Sequence, residues 1–336
     1  MEITSQCNGS CIYCPSQAYQ ASWVNRSLPI HHFRRLAGVF ERVPYIHLQG
    51  WGEPFIHPDF VSMLKMAKAA GCRAGTTTNG LLLNRDCLKT LVEEGLDVIA
   101  FSLVGTDEKN DAIRKDTSIK KVIRNIEEIQ NLKAQQGRET PKIHIAYMLL
   151  KSGLKDVHAL PGFISSLGVD QAIVSTLSLV TTPGLKAESF TGCTKQEFLD
   201  LKRQLREVKQ AGDDKGVDIR FHIAGGAVAN KSCSENVERA LVIGSDGAVS
   251  PCVMGNIPVR GTEYHYFGDK KLMLQRSHFG NALKEHLYDI WDKKEYRKFR
   301  KHYAKSNCRD CLKLYNDDLE EATDGLRELF GAIGGK

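Results

Sequence analysis

Through its first ~200 residues the chain alternates short strand-like apolar runs with longer amphipathic stretches, and this alternation restricts the fold most. Strand candidates fall at 45–49, 71–77, 98–103, 143–149 and 171–176, with residues 1–5 as the stub of a first strand. Helix-like stretches lie between them at 30–42, 58–70, 84–94, 119–136 and 156–167. Strand, helix, strand at this spacing gives βαβ units and a parallel sheet. Such sheets place ligand sites at the carboxyl ends of their strands. The character changes after Gly212. Residues 217–223 and 239–253 read as strands, the second pair folded about the turn Gly244-Ser-Asp-Gly247, and helix-like segments follow at 281–304 and 317–331. The expected division is therefore 1–213 and 214–336, after a helix at 195–211.

Length and composition fit two such units. At 336 residues the chain has room for one large α/β domain and a smaller one. No apolar run approaches the length of a membrane span, and a cysteine motif already under way at residue 7 leaves no room for a signal peptide. Ten cysteines then read as reduced, metal-binding thiols, which places the expected location in the cytoplasm. The charge of +6 is mildly basic. Its densest run is 293–305, where helical spacing puts Tyr296, Phe299 and Tyr303 on an inner face and Lys and Arg outside. A solvated face and a docking surface for an acidic electron carrier are both compatible with it. Nothing in the chain matches a nucleic-acid-binding motif.

Cys7, Cys11 and Cys14 stand in the run Cys7-Asn-Gly-Ser-Cys11-Ile-Tyr-Cys14-Pro. Soft thiolates select iron–sulfur clusters or zinc, and a structural site is normally closed by a fourth ligand. Three thiolates on one short loop hold three irons of a [4Fe–4S] cubane and leave the fourth for a small molecule. The alternative is a zinc knuckle. This C-x3-C-x2-C spacing, with an aromatic residue before the last Cys, resembles the cluster motif of the radical S-adenosylmethionine (radical SAM) enzymes. The resemblance implies a partial (β/α)6 barrel, with SAM chelated at the open iron.

Further residues carry the resemblance. Gly50-Trp-Gly-Glu-Pro54 resembles the family's Gly-Gly-Glu-Pro motif: Gly52, Glu53 and Pro54 match, and Trp51 departs from it. The resemblance implies that this backbone and Glu53 fix the SAM amino group. It implies that Asn79, in Thr77-Thr-Asn-Gly80, and Ser102 contact the SAM ribose or carboxylate. Arg114 would pair with that carboxylate, and Tyr13 would lie against the adenine. Singly, each of these is also an ordinary turn residue or surface ion-pair member.

The second unit has its own cysteines. Cys233, Gly247 and Cys252 are spaced C-x13-G-x4-C, and Cys308-Arg-Asp-Cys311 follows. The pattern resembles the SPASM/twitch extension of radical SAM enzymes, without the usual C-x5-C-x3-C continuation. Four thiolates suffice for one closed auxiliary [4Fe–4S] cluster, and the alternative is a zinc site. Cys72 and Cys87 read as small buried hydrophobes. Cys193, in a long loop at the expected barrel mouth, is the weak candidate for a catalytic hydrogen-atom donor and otherwise an idle thiol. His57 is either a loop-fixing residue or a substrate contact.

What the resemblance implies is a radical SAM oxidoreductase or maturase that cleaves SAM reductively to a 5′-deoxyadenosyl radical and abstracts hydrogen. Its implied needs are SAM, two [4Fe–4S] clusters and a low-potential donor such as ferredoxin or flavodoxin. The segments 48–59 and 143–150 also look like SPASM maturases associated with tungsten-containing aldehyde oxidoreductases. The expected substrate is thus a peptide, protein or cofactor-related molecule. The alternatives are dehydrogenation of a small alcohol and a non-catalytic iron–sulfur electron carrier.

Overall fold

The computed structural model describes residues 1–225, 233–305, 308 and 311–314. Its centre is a six-stranded parallel sheet whose strands are β1 (Tyr45–His47), β2 (Arg73–Thr78), β3 (Val98–Leu103), β4 (Lys142–Leu149), β5 (Gln171–Thr176) and β6 (Asp218–His222), hydrogen-bonded in that order. Helices α1 (Ile30–Ala37), α2 (Phe60–Ala69), α3 (Arg85–Glu93), α4 (Ile119–Gln136), α5 (Leu160–Ser166) and α6 (Lys195–Asp213) lie in the expected places. This is the partial barrel.

Alternation along each strand sorts the side chains into two sets. Ile46, Ile99, Phe101, Ile145, Val174 and Phe221 join the helices in one core. His47, Thr77, Ser102, His144, Ser175 and His222 hold the other face. Helix α4 shows why the outer layer forms. It buries Ile119, Val122, Ile126, Ile129 and Leu132 at helical spacing. Burying each such side chain stabilises by about 1.5–3 kcal/mol. Ser118 caps its start, and Gly137 (φ +59°) ends it in the left-handed conformation that glycine adopts without strain.

Two expectations change. Residues 1–5 do not enter the sheet as a strand. They are clasped by separate backbone bonds: Gln49 N–H donates to Met1 O, Glu2 N–H to Ile243 O and Leu28 N–H to Ile3 O. The strand expected to open the second unit is instead β6, pairing parallel with β5 from Gln171↔Asp218 to Ser175↔His222. The barrel sheet therefore runs past residue 213. A strand after a long helix carries no sequence signal of which sheet it joins; its apolar face, Ile219 and Phe221, had to find the α6 side of the core.

Beyond it, Val242–Ile243 and Ala248–Ser250 form the expected antiparallel hairpin, with Gly280–Asn281 as a third strand. Gly247 in its turn has φ +80°, and a Cβ there would stand 2.3 Å from Leu283 Cγ, so only glycine fits. The expected helix at 281–304 is two, α7 (Leu287–Asp292) and α8 (Lys294–His302). Tyr296, Phe299 and Tyr303 are buried as the spacing predicts. The helix expected at 317–331 lies outside the described residues. No helix among the described residues is long and apolar enough to cross a membrane.

Candidate active site at the carboxyl ends of the barrel strands

The cysteine loop leaves the N-terminal segment and crosses the carboxyl ends of the strands. A short antiparallel pairing, Ser10↔Lys115 and Cys11↔Arg114, holds it there. Cys7, Cys11 and Cys14 are close enough for each to feel the others' charge, and burial pushes the Cys7 thiol up to about 11 and the Cys14 thiol upward as well. Gly9 N–H reaches Cys7 Sγ at 3.4 Å and Ser16 Oγ donates to Cys14 Sγ at 3.1 Å. Donors aimed at sulfur stabilise thiolates, and binding iron would displace the protons that burial retains.

Arg114 is the strongest electrostatic feature here. It is buried beside these thiols and donates to the Tyr13 hydroxyl at 2.5 Å. Burial opposes its charge, but Tyr13, Cys11 and Cys7 overcome this and raise its pKa further. Among the described residues it has no ion-pair partner, and its Nε has no hydrogen-bond partner at all. A buried cation without a counter-charge is costly. The site therefore fits an anionic occupant, such as thiolate-bound iron–sulfur or a carboxylate.

Glu53 is equally buried. Its Oε1 accepts from Thr78 Oγ1 (2.7 Å) and Phe55 N–H (3.2 Å), and its Oε2 from Asn79 N–H (2.8 Å). Burial raises its pKa against the pull of these donors. Asn79 is cross-linked to the cysteine loop through Nδ2–H to Asn8 Oδ1 at 2.9 Å. The sequence pattern did not single out Asn8, although a polar residue next to the first Cys is the place to look for such a tie. A Cβ on Gly52 would lie 2.4 Å from Gln6 O and 2.5 Å from Thr4 O, so this glycine is demanded by the close approach of the N-terminal segment. Trp51, the departure from the motif, turns to the second unit, its indole N–H donating to Val253 O at 3.2 Å. Ser102 stands on the inner face of β3 opposite Ala146.

Two other candidates resolve differently. His57 donates from Nε2 to Leu28 O (2.8 Å) and accepts Asp59 N–H at Nδ1 (3.1 Å), the bonding of a loop-fixing residue. Cys193 is half-buried, and Lys151 Nζ donates to its sulfur at 3.7 Å.

The second cysteine set is gathered from three places in the chain. Burial pushes Cys233 up to about 11 and Cys308 to about 12, and raises Cys252 and Cys311. Cys311 N–H bonds to Cys308 O (2.9 Å), and Cys233 N–H to the Tyr303 hydroxyl (3.3 Å). Beside them lies a partly buried ion pair absent from the sequence reading, Lys313 with Glu235. Burial alone would push the ammonium down and the carboxyl up; each reverses the effect on the other. Among the described residues, no three or more His, Cys, Asp or Glu are arranged to hold a metal ion.

Comparison with known proteins agrees with this geometry. Residues 1–148 match the radical SAM superfamily, and residues 233–312 match SPASM, an iron–sulfur cluster-binding domain. The chain belongs to the radical SAM superfamily and carries a SPASM domain. It is 27% identical, over 96% of its length and 89% of the relative's, to the tungsten-containing aldehyde ferredoxin oxidoreductase cofactor-modifying protein of Pyrococcus furiosus. In fold it resembles Streptococcus suis SuiB bound to precursor peptide SuiA (TM-score 0.65, 20% identity, 93% of this chain and 69% of that one). It also resembles anSMEcpe with bound AdoMet (TM-score 0.64, 16% identity, 93% and 86%). A radical SAM domain binds SAM and a [4Fe–4S] cluster, so the chain is a radical SAM enzyme.

Proposed function

We propose that this protein is a maturase, abstracting hydrogen from a peptide, protein or cofactor-related substrate. The observation that carries the reading is the buried Arg114, which has no ion-pair partner among the described residues, facing three thiols at the strand ends beside the buried Glu53. In this reading Cys7, Cys11 and Cys14 hold three irons, and Arg114 receives the SAM carboxylate. Glu53 and the Gly52 backbone receive the SAM ammonium, Asn79 and Ser102 lie along the ribose, and the Tyr13 backbone meets the adenine. The chemistry supplied there, when cluster and SAM are bound, is one-electron reductive cleavage followed by hydrogen abstraction. The protein's own task is positioning. Thr78 and the Asn79 N–H hold Glu53 in one orientation, Asn8 ties the cysteine loop to β2, and Tyr13 fixes the Arg114 fork.

Cys233, Cys252, Cys308 and Cys311 are read as ligands of one auxiliary [4Fe–4S] cluster. The division between the two units belongs near residue 225, after β6. The electron donor is read as an acidic low-potential carrier, for which the exposed Arg297, Lys298 and Lys301 on α8 offer complementary charge beside the auxiliary cysteines. The Pyrococcus relative, named for modifying a cofactor, and the peptide-bound SuiB support the maturase class. The test is SAM binding to anaerobically reconstituted protein. Glu53→Ala and Arg114→Leu should each weaken it by about 1.5–3 kcal/mol, the worth of a buried charge-assisted bond. Unchanged affinity in both variants would overturn the assignment of these residues.

A further inference from the structure

One cavity outside the candidate active site is lined by three arginines. It is a half-open pocket of about 140 Å³ between the N-terminal segment and the auxiliary hairpin; its walls include Glu2, Arg26, Asp246, Asn256, Arg260 and Arg276, the three arginines reaching it from exposed positions. Neither cysteine set contributes to it, nor do Glu53, Asn79 or Arg114. It has room for a group of several heavy atoms, since one water needs only ~10–15 Å³ of such space.

Its charges are incompletely matched. Asp246 Oδ2 is shared between Arg26 Nη1 at 3.5 Å and Arg276 Nη2 at 3.7 Å, long for charge-assisted bonds, which close to ~2.7–2.9 Å. Glu2 is occupied elsewhere: Oε1 accepts Trp51 N–H at 3.0 Å, and Oε2 accepts Ser245 N–H at 3.1 Å and its hydroxyl at 3.0 Å. The Arg276 fork is also braced by Nη1 donating to Val259 O at 3.2 Å. Arg260 has no side-chain partner among the described residues. Asn256, only 3% exposed, lines the cavity, and its Oδ1 has no hydrogen-bond partner. Gly244 makes way for this amide, since a Cβ there would lie 2.0 Å from Asn256 Nδ2. A buried amide left with an unmet bond is costly unless something completes it.

We propose that this cavity binds a small oxyanion, a carboxylate or phosphoryl group, held by Arg26, Arg260 and Arg276. Planar guanidinium forks match both kinds of oxyanion bidentately. The seam between barrel and auxiliary region would thereby be closed by a ligand.

The test is calorimetric titration of the full-length, cluster-loaded protein with sodium phosphate and with sodium succinate, at fixed ionic strength in chloride. Saturable one-to-one binding of either is expected, and which one binds tells a phosphoryl from a carboxylate site. Arg260→Gln should weaken that binding at least tenfold, and this unpartnered residue can be replaced without loss of fold. Arg276→Lys, keeping the charge but not the fork, should weaken it several-fold. Two results would overturn the proposal: no saturation by either anion below millimolar concentration, or equal binding by wild type and Arg260→Gln.

Discussion

The two cysteine sites handle charge in opposite ways. At the barrel mouth, three thiols from one short loop face Arg114, a buried cation with no carboxylate at ion-pair distance among the described residues. At the auxiliary site, four thiols assembled from distant segments lie beside Lys313, and there the protein supplies Glu235 as counter-charge. The first site is electrostatically incomplete and suits an anion arriving from outside. The second is already balanced and suits a closed structural or electron-transfer role. Burial raises the pKa of Cys7 and Cys14 at the first site and of Cys233, Cys252, Cys308 and Cys311 at the second, so loading either one must release protons.

The comparison breaks most sharply in iron content. Fully loaded protein is expected to bind about eight irons. Replacing Cys7, Cys11 and Cys14 by Ala should leave about four, with the auxiliary hairpin still ordered. Stoichiometric zinc alongside about four irons in the native protein would contradict the account of the auxiliary site.

The converse variant separates local from global consequences. If Cys308 and Cys311 tie the end of the described chain to the hairpin through the proposed cluster, replacing both by Ala should speed amide exchange through residues 233–305 at least tenfold, a local loss of ~1.4 kcal/mol or more. Exchange in β1–β6 should change little. Equal loosening of the barrel would show that the two sites are not independent units.

A smaller effect concerns pH and lies in the barrel alone. His47 is held between the Tyr45 hydroxyl (2.8 Å) and Thr77 Oγ1 (2.9 Å), and burial lowers its pKa to about 3. The unfolded chain binds this proton from about pH 6.5 downward and the folded one does not. Stability is therefore lost as pH falls from about 6.5 towards 3, by an amount on the order of a few kcal/mol. Denaturant midpoints measured across that range should fall, and should fall less in His47→Gln. Identical pH dependence in the two proteins would remove His47 from the account.

The legible parts of the molecule were those encoded locally. Helix α4 has the bounds its apolar spacing and cap residues predict, the inner face of α8 follows from Tyr296, Phe299 and Tyr303, and the hairpin follows from its Gly-Ser-Asp-Gly turn. The Cys7, Cys11 and Cys14 motif is likewise a local pattern, and residues 1–148 match the radical SAM superfamily. What escaped depended on partners remote in the chain. Strand β6 joins the barrel because β5 offers it an edge. Gly52 is small because Thr4 and Gln6 cross it. The Glu235–Lys313 pair joins residues 78 positions apart, and the three-arginine cavity brings Arg26 to Arg276, 250 positions away, which no spacing rule records.

The central claim is that the incomplete charge at the barrel mouth serves SAM. Reduced protein should convert SAM to methionine and 5′-deoxyadenosine in equal amounts, followed by anaerobic chromatography after dithionite addition. The Cys308→Ala/Cys311→Ala variant should still do so, and the variant lacking Cys7, Cys11 and Cys14 should form none. No 5′-deoxyadenosine from wild-type protein with its iron intact, or undiminished formation without the three N-terminal cysteines, would contradict it.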